Sequence, residues 1–259
     1  MSRWLVTTVP AGLLLLGLGL LIAGGAVLAQ RYVRRRFPAL LQGEHNDVTK
    51  FAYGFIGFVY AFFVGFVVSS MWGQINTADG NARAEGAAAV QLARDVAAFD
   101  AADQVRIRQA LLRYEQAAIA EWDTADTTES RDADTALDEL YAAYRQVRAT
   151  SDVQKAALAT STSNLNEASQ ARTVRLLTAR ADTGPPWPLW VVLGVTSAMV
   201  LGTVVVYGVE RSGYHYPMVA VVGVIVAANL FLILELSHPY VGAISTSSDP
   251  LQQVVRTLR

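Results

Sequence analysis

The chain has 259 residues, a formal net charge of −1, no cysteine and three histidines. The balanced charge gives no basis for nucleic-acid binding through phosphates. The missing cysteines exclude disulfides, thiolate metal sites and a cysteine nucleophile, and three histidines argue against a histidine-rich metal centre. Hydrophobic residues make up 53% of the chain, and mean hydropathy is +0.30.

Charges are missing from four long stretches. There are 27 uncharged residues between Arg3 and Arg31, 28 between Lys50 and Asp79, 27 between Asp182 and Glu210, and 23 between Arg211 and Glu235. A bilayer core of roughly 30 Å takes about 20 apolar residues at helical rise to cross, so each stretch is long enough. The expected fold is therefore an all-α integral membrane protein with four transmembrane helices.

The first crossing is placed at about 10–30. Val27-Leu28-Ala29 resembles a signal-peptide cleavage site. The apolar run is about twice the length of a signal-peptide core, however, and the expectation is a retained helix. Residues 31–50 read as a basic loop with Arg31, Arg34, Arg35, Arg36 and Lys50. The positive-inside rule makes this loop cytoplasmic and puts the following segment, 73–186, outside. Arg172, Arg175 and Arg180, close to the third crossing, weigh against that orientation.

The second crossing, about 51–72, completes a first helix pair in 1–72. Phe51, Phe55, Phe58, Phe62 and Phe66 fall within about 80° of one another on a helix of 3.6 residues per turn. Gly54, Gly57, Ala61 and Gly65 form a second stripe beside them. Small residues let helix backbones approach closely in lipid, and the phenylalanines suit either a dewetting pore constriction or packing against lipid and neighbouring helices.

Segment 73–186 holds 29 of the 43 charged residues and reads as an extramembrane helical domain inserted between the second and third crossings. Residues 77–98 continue the second crossing as helix. Leu111, Tyr114, Ala118 and Trp122 make one apolar stripe, and Leu137, Leu140, Tyr141, Tyr144 and Val147 make another. The Asp-rich run Asp123–Asp134 supplies a turn and the acidic start of a helix. Residues 152–180 form a weaker helix leading to the third crossing.

Region 187–259 carries the second pair, at about 188–207 and 216–236, and a C-terminal tail. Polar groups within the crossings are few: Ser69, Ser70, Thr196, Ser197, Thr203 and Asn229. Asn229 reads as an interhelical hydrogen-bonding residue or a conduction residue. Glu235 and His238 share the Glu-x-x-His spacing of di-metal bundles, but no second such motif exists, so neither metal nor cofactor is expected. His45 with Asp47 reads as loop polarity. No P-loop, nucleophile elbow, dinucleotide-binding glycine pattern or zincin motif is present, so an enzyme is not expected.

The segment from Leu232 through Glu235, Pro239, Tyr240 and Gly242, followed by Pro250-Leu251, resembles the exit of the last crossing in the bacterial bestrophin-like family of four-helix membrane proteins. Members typically read Leu-Asp-x-Pro-Phe-x-Gly, and here Ser237 and Tyr240 replace the Asp and the Phe. Glu85 opening an alanine-rich helix, and Glu121-Trp122 after Tyr114, match as well. The resemblance implies a bacterial plasma-membrane protein that is homo-oligomeric and channel-like. Bestrophins proper are pentameric anion channels whose second helix lines a phenylalanine-containing neck, and they keep the segment between helices two and three in the cytoplasm. The leading expectation is a pore lined by the second helix. The alternative is a non-conducting scaffold or sensor whose extramembrane domain binds a protein or envelope partner.

Overall fold

A segment inside hydrocarbon has no water to bond its backbone, so an isolated span must close its hydrogen bonds within itself as a helix. The computed structural model meets that demand four times. It describes residues 2–38, 46–122, 131–181, 183–207 and 212–258. His45, Arg211 and most of the Asp-rich run lie outside the described residues. The helices among the described residues are α1 (Ser2–Thr8), α2 (Ala11–Arg36), α3 (Asn46–Asp95), α4 (Ala101–Trp122), α5 (Arg131–Arg145), α6 (Asp152–Arg180), α7 (Trp187–Val206), α8 (Ser212–Leu236) and α9 (Asp249–Leu258). Four of them, α2, α3, α7 and α8, are long and apolar enough to cross a membrane.

Several boundaries differ from the sequence expectation. The arginines placed in a loop are the last turns of α2, which ends at Arg36 rather than near residue 30. Cations at a helix C-terminus complement its dipole, and their aliphatic stems let the helix run on to the polar interface. As expected for residues 77–98, the second crossing continues beyond Trp72 as helix: α3 is one helix of 50 residues, ending at Asp95. It closes with a 3-10 turn, Val96–Ala98. Val147 lies beyond α5 but still packs on the apolar core. Neither α1 nor α9 was expected.

The contacts divide the chain into two units. The first comprises Met1–Gly73, Gly184–His238 and Gly242–Ile244. Here α2 packs on α8 and α7, and α1 on α2 and α8. A close approach is made at Gly223, where an added Cβ would lie 2.6 Å from the Cα of Ala23; only glycine lets α8 sit this near α2. Gln30, Arg34 and His215 join the helices at one end. Gln30 Nε2 lies 2.9 Å from His215 Nδ1, and His215 Nε2 lies 3.1 Å from the carbonyl oxygen of Val204. Thr196 and Thr203 donate their hydroxyls to Val192 and Val200 of their own helix, both at 2.8 Å, so these hydroxyls satisfy local backbone rather than bridging helices.

The second unit comprises Gln74–Thr183, Pro239–Val241 and Ser245–Arg259. Its core joins Leu92, Ile107, Leu111, Tyr114, Leu140, Leu165 and Leu251, and both apolar stripes read from the sequence contribute to it. A capping box starts α6: the Ser151 hydroxyl accepts from the Gln154 N–H at 3.2 Å, and the Gln154 side chain accepts in return from the Ser151 N–H at 3.4 Å. This reciprocal arrangement satisfies donors that a helix start leaves open. At Gly86 an added Cβ would come within 2.7 Å of Pro250, so glycine admits the start of α9 against α3.

Candidate functional site

The membrane half of α3 has a distinct arrangement of faces. At 100° per residue, its buried residues Tyr60, Val64, Val67 and Met71 cluster within about 60° of arc. The centre of the phenylalanine stripe lies about 170° away, on the opposite side of the helix. Phe51, Phe55, Phe58, Phe62 and Phe66 are correspondingly exposed, at 79, 64, 70, 71 and 67%. The small-residue stripe lies between these two faces, about 90° from each. Among the described residues, no atom lies within 4 Å of a Cβ built at Gly54, Gly57 or Gly65. Among the described residues, α3 therefore buries one face and leaves both stripes open, and the close backbone approach expected of these glycines is not made there. Asn229 is half-buried on α8.

The residues of the family-like exit turn have definite structural tasks. Glu235 is fully buried, and its Oε2 accepts a hydrogen bond from the N–H of Ala243 at 2.9 Å. Gly242 adopts φ +99, a left-handed conformation that favours glycine. A Cβ there would also lie 2.7 Å from Glu235 Oε2 and 2.5 Å from Val6 Cγ1. Pro239 stops the helix ladder, and its carbonyl accepts from the N–H of Thr246 at 2.8 Å. Tyr240 meets Trp122 edge to face, with ring centroids 5.9 Å apart.

The second unit contains a polar cluster that sequence reading did not assemble. Arg175 grips Glu85 through two parallel bonds, Nε to Oε2 at 2.9 Å and Nη2 to Oε1 at 3.1 Å. Three residues earlier on α6, Arg172 grips Glu121 in the same way, at 3.0 and 2.7 Å. Arg175 Nη2 also reaches Glu121 Oε2 at 3.5 Å, and Arg172 Nη1 pairs with Asp134 at 2.8 Å. The Arg175 guanidinium lies 4.6 Å from the ring centroid of Trp122, whose indole N–H donates to the Thr246 carbonyl at 3.2 Å. Glu85, Glu121, Arg172 and Arg175 are all buried. The fork geometry of arginine suits two-bond carboxylate pairing.

The two arginines of this core are already engaged by Glu85, Glu121 and Asp134, and Glu115 lies buried beside them. Burial pushes its carboxyl well above the usual carboxylate range; Glu85 adds to the rise and Arg175 opposes it. Tyr114 is raised for the same first reason, reinforced by Glu85 and Glu115. Among the described residues, Glu115 Oε2, Tyr114 Oη and Arg175 Nη1 have no hydrogen-bond partner. The sequence signal available was limited to Arg172 and Arg175 standing three residues apart, together with Glu85 and Glu121 among the family-like positions.

These features define an all-α membrane protein with four spanning helices and a helical domain inserted between the second and third. A model of the bestrophin-like domain matches residues 20–251, and the chain belongs to the bestrophin-like family. Its fold is similar to solved structures of a bacterial bestrophin homologue from Klebsiella pneumoniae. An isoleucine-to-threonine variant is 16% identical with a TM-score of 0.61, covering 96% of this chain and 98% of that one. The form phased on zinc is 17% identical with a TM-score of 0.62, covering 95 and 96%. No curated protein matches the chain by sequence.

Breaking one buried pair leaves an uncompensated charge, at a cost of about 3–5 kcal/mol. Glu85→Gln should therefore lower the melting temperature and expose the 74–183 segment to protease, while the double variant Glu85→Leu, Arg175→Met should recover much of the loss. Equal destabilisation of the two would contradict the pairing. For Glu115, both folded and unfolded states are protonated below about pH 4.5. As pH rises from there, the unfolded state gains by ionising and the native state loses relative stability, until its own raised pKa is passed. Glu115→Gln should thus melt above the parent at neutral and alkaline pH, with the gap closing in acid.

Proposed function

We propose that the protein is a homo-oligomeric, anion-channel-like membrane protein in which α3 lines a central pore. The observation that carries this reading is the division of α3 into a bundle face, an open phenylalanine face on the opposite side, and an open small-residue face at about 90° to both. In a closed ring of subunits, a helix with its own bundle behind it presents the opposite face to the axis and a flanking face to the neighbouring subunit. The phenylalanines then form a dewetting constriction, and Gly54, Gly57 and Gly65 permit close packing between subunits. Family membership supports the same reading. Reconstituted in planar bilayers, the protein should conduct, and Phe62→Ala or Phe58→Ala should raise the current severalfold. A protein that stays monomeric in mild detergent and silent in bilayers would sink the proposal. A stoichiometric protein partner lost on deleting residues 77–180 would favour the scaffold alternative.

The proposed orientation keeps the Arg31–Arg36 end of α2 in the cytoplasm of a bacterial plasma membrane and the inserted domain outside. Arg172 and Arg175, which weighed against it, are engaged in buried ion pairs and are not open charges flanking a span. With no native cysteine, Thr135→Cys on the exposed side of α5 is a clean probe. It should react with a membrane-impermeant maleimide in intact cells, and protection until permeabilisation would reverse the orientation.

A further inference from the structure

Within the membrane unit, α3, α7 and α8 leave an apolar cleft at the end where α2 carries its arginines. One part, of about 290 Å³, is lined by Lys50, Tyr53, Thr203, Val204, Tyr207 and Met218. An adjoining part of about 370 Å³ shares Thr203 and extends past Ala52, Ile56, Met199 and Gly202. Thr203 spends its hydroxyl on the Val200 carbonyl, so the wall it contributes is effectively apolar. The polar groups collect at one end. Lys50 and Tyr53 are exposed there, and Tyr207 caps the end of α7. Arg34 is linked to the cleft wall through His215: its Nη1 is 3.4 Å from His215 Nδ1, and His215 Nε2 lies 3.1 Å from the carbonyl oxygen of Val204, which lines the cleft.

An apolar slot inside a membrane bundle, with cations and tyrosines at one end, has the polarity of a phospholipid. Tyrosine rings settle at the headgroup level, and basic pockets between spanning helices select anionic headgroups. We propose that this cleft binds one anionic phospholipid, an acyl chain lying along Ile56, Met199 and Gly202 and the phosphate held at Lys50, with Arg34 linked to the wall through His215. The proposal does not require conduction. It rests on the orientation above only for the leaflet, which would be the cytoplasmic one.

The test uses the full chain, purified in mild detergent, stripped of lipid and titrated with phosphatidylglycerol or phosphatidylcholine of matched chains under native mass spectrometry. Phosphatidylglycerol should be retained where phosphatidylcholine is stripped. Lys50→Ala should weaken its binding about fivefold, the effect of one cation near an anionic lipid surface, and Lys50→Arg should restore it. Gly202→Leu enters open space and should reduce retention of both lipids without lowering the melting temperature in detergent. Equal retention of the two lipids by the parent protein overturns the proposal, as does indifference to both substitutions. Displacement by inorganic phosphate alone would show a simple anion site instead. A changed subunit count in Gly202→Leu, with lipid retention intact, would assign the cleft to a second copy of the chain.

Discussion

Everything in this protein follows from the cost of placing a charge or an unbonded backbone group in hydrocarbon. That cost clears four stretches of charge and closes each into a helix. It also collects most of the charged residues in the one segment that need not cross. Four buried charged residues, Glu85, Glu121, Arg172 and Arg175, lie in the inserted domain and are paired through two-bond forks. Removing either partner of such a pair is costly, whereas an apolar replacement of both can be nearly neutral. The cluster is thus better understood as a device that specifies which helices meet than as a large source of stability. It ties α3, α4, α5 and α6 to one another, and Trp122 adds a stacked ring over Arg175.

The helix α3 takes part in both units. Its extramembrane half supplies Glu85 to the ion-pair cluster and Gly86 to the contact with Pro250. Its membrane half supplies the open phenylalanine and glycine faces. The family-like residues that are not on α3 have tasks of their own. Glu121 joins the cluster, and Leu251, beside Pro250, is fully buried in the second unit. Glu235 and Gly242 shape the turn that follows α8. Each has a direct physical role: no side chain fits at position 242, and the buried Glu235 carboxyl oxygen accepts from the N–H of Ala243.

What could be read from the sequence and what could not divide along physical lines. The spans were legible because the absence of charge over 23–28 residues is a local property. The apolar stripes of α4 and α5 were legible for the same reason, since helical periodicity is local. The ion-pair cluster was not, because its members stand 51 and 90 residues apart and only folding brings them together. Gly223 was invisible among apolar neighbours, although it makes a close approach that Gly54 and Gly57 do not make among the described residues. The capping box at Ser151 and the spacing of Leu251 and Val254 in α9 are local patterns and are legible in the sequence. The helix boundary near Arg31 was not legible, because clustered arginines suit a loop and the final turns of a helix alike, and α2 runs to Arg36.

The central claim is that the open faces of α3 are completed by other copies of the same chain around an axis. An image of the purified, full-length particle at a resolution that shows helices tests it most directly. The expected image is a closed ring with α3 innermost, Phe58 and Phe62 facing the axis and Gly54 to Gly65 against the adjacent subunit. A monomer, or an assembly in which the phenylalanine stripe faces lipid on the outside, would contradict it.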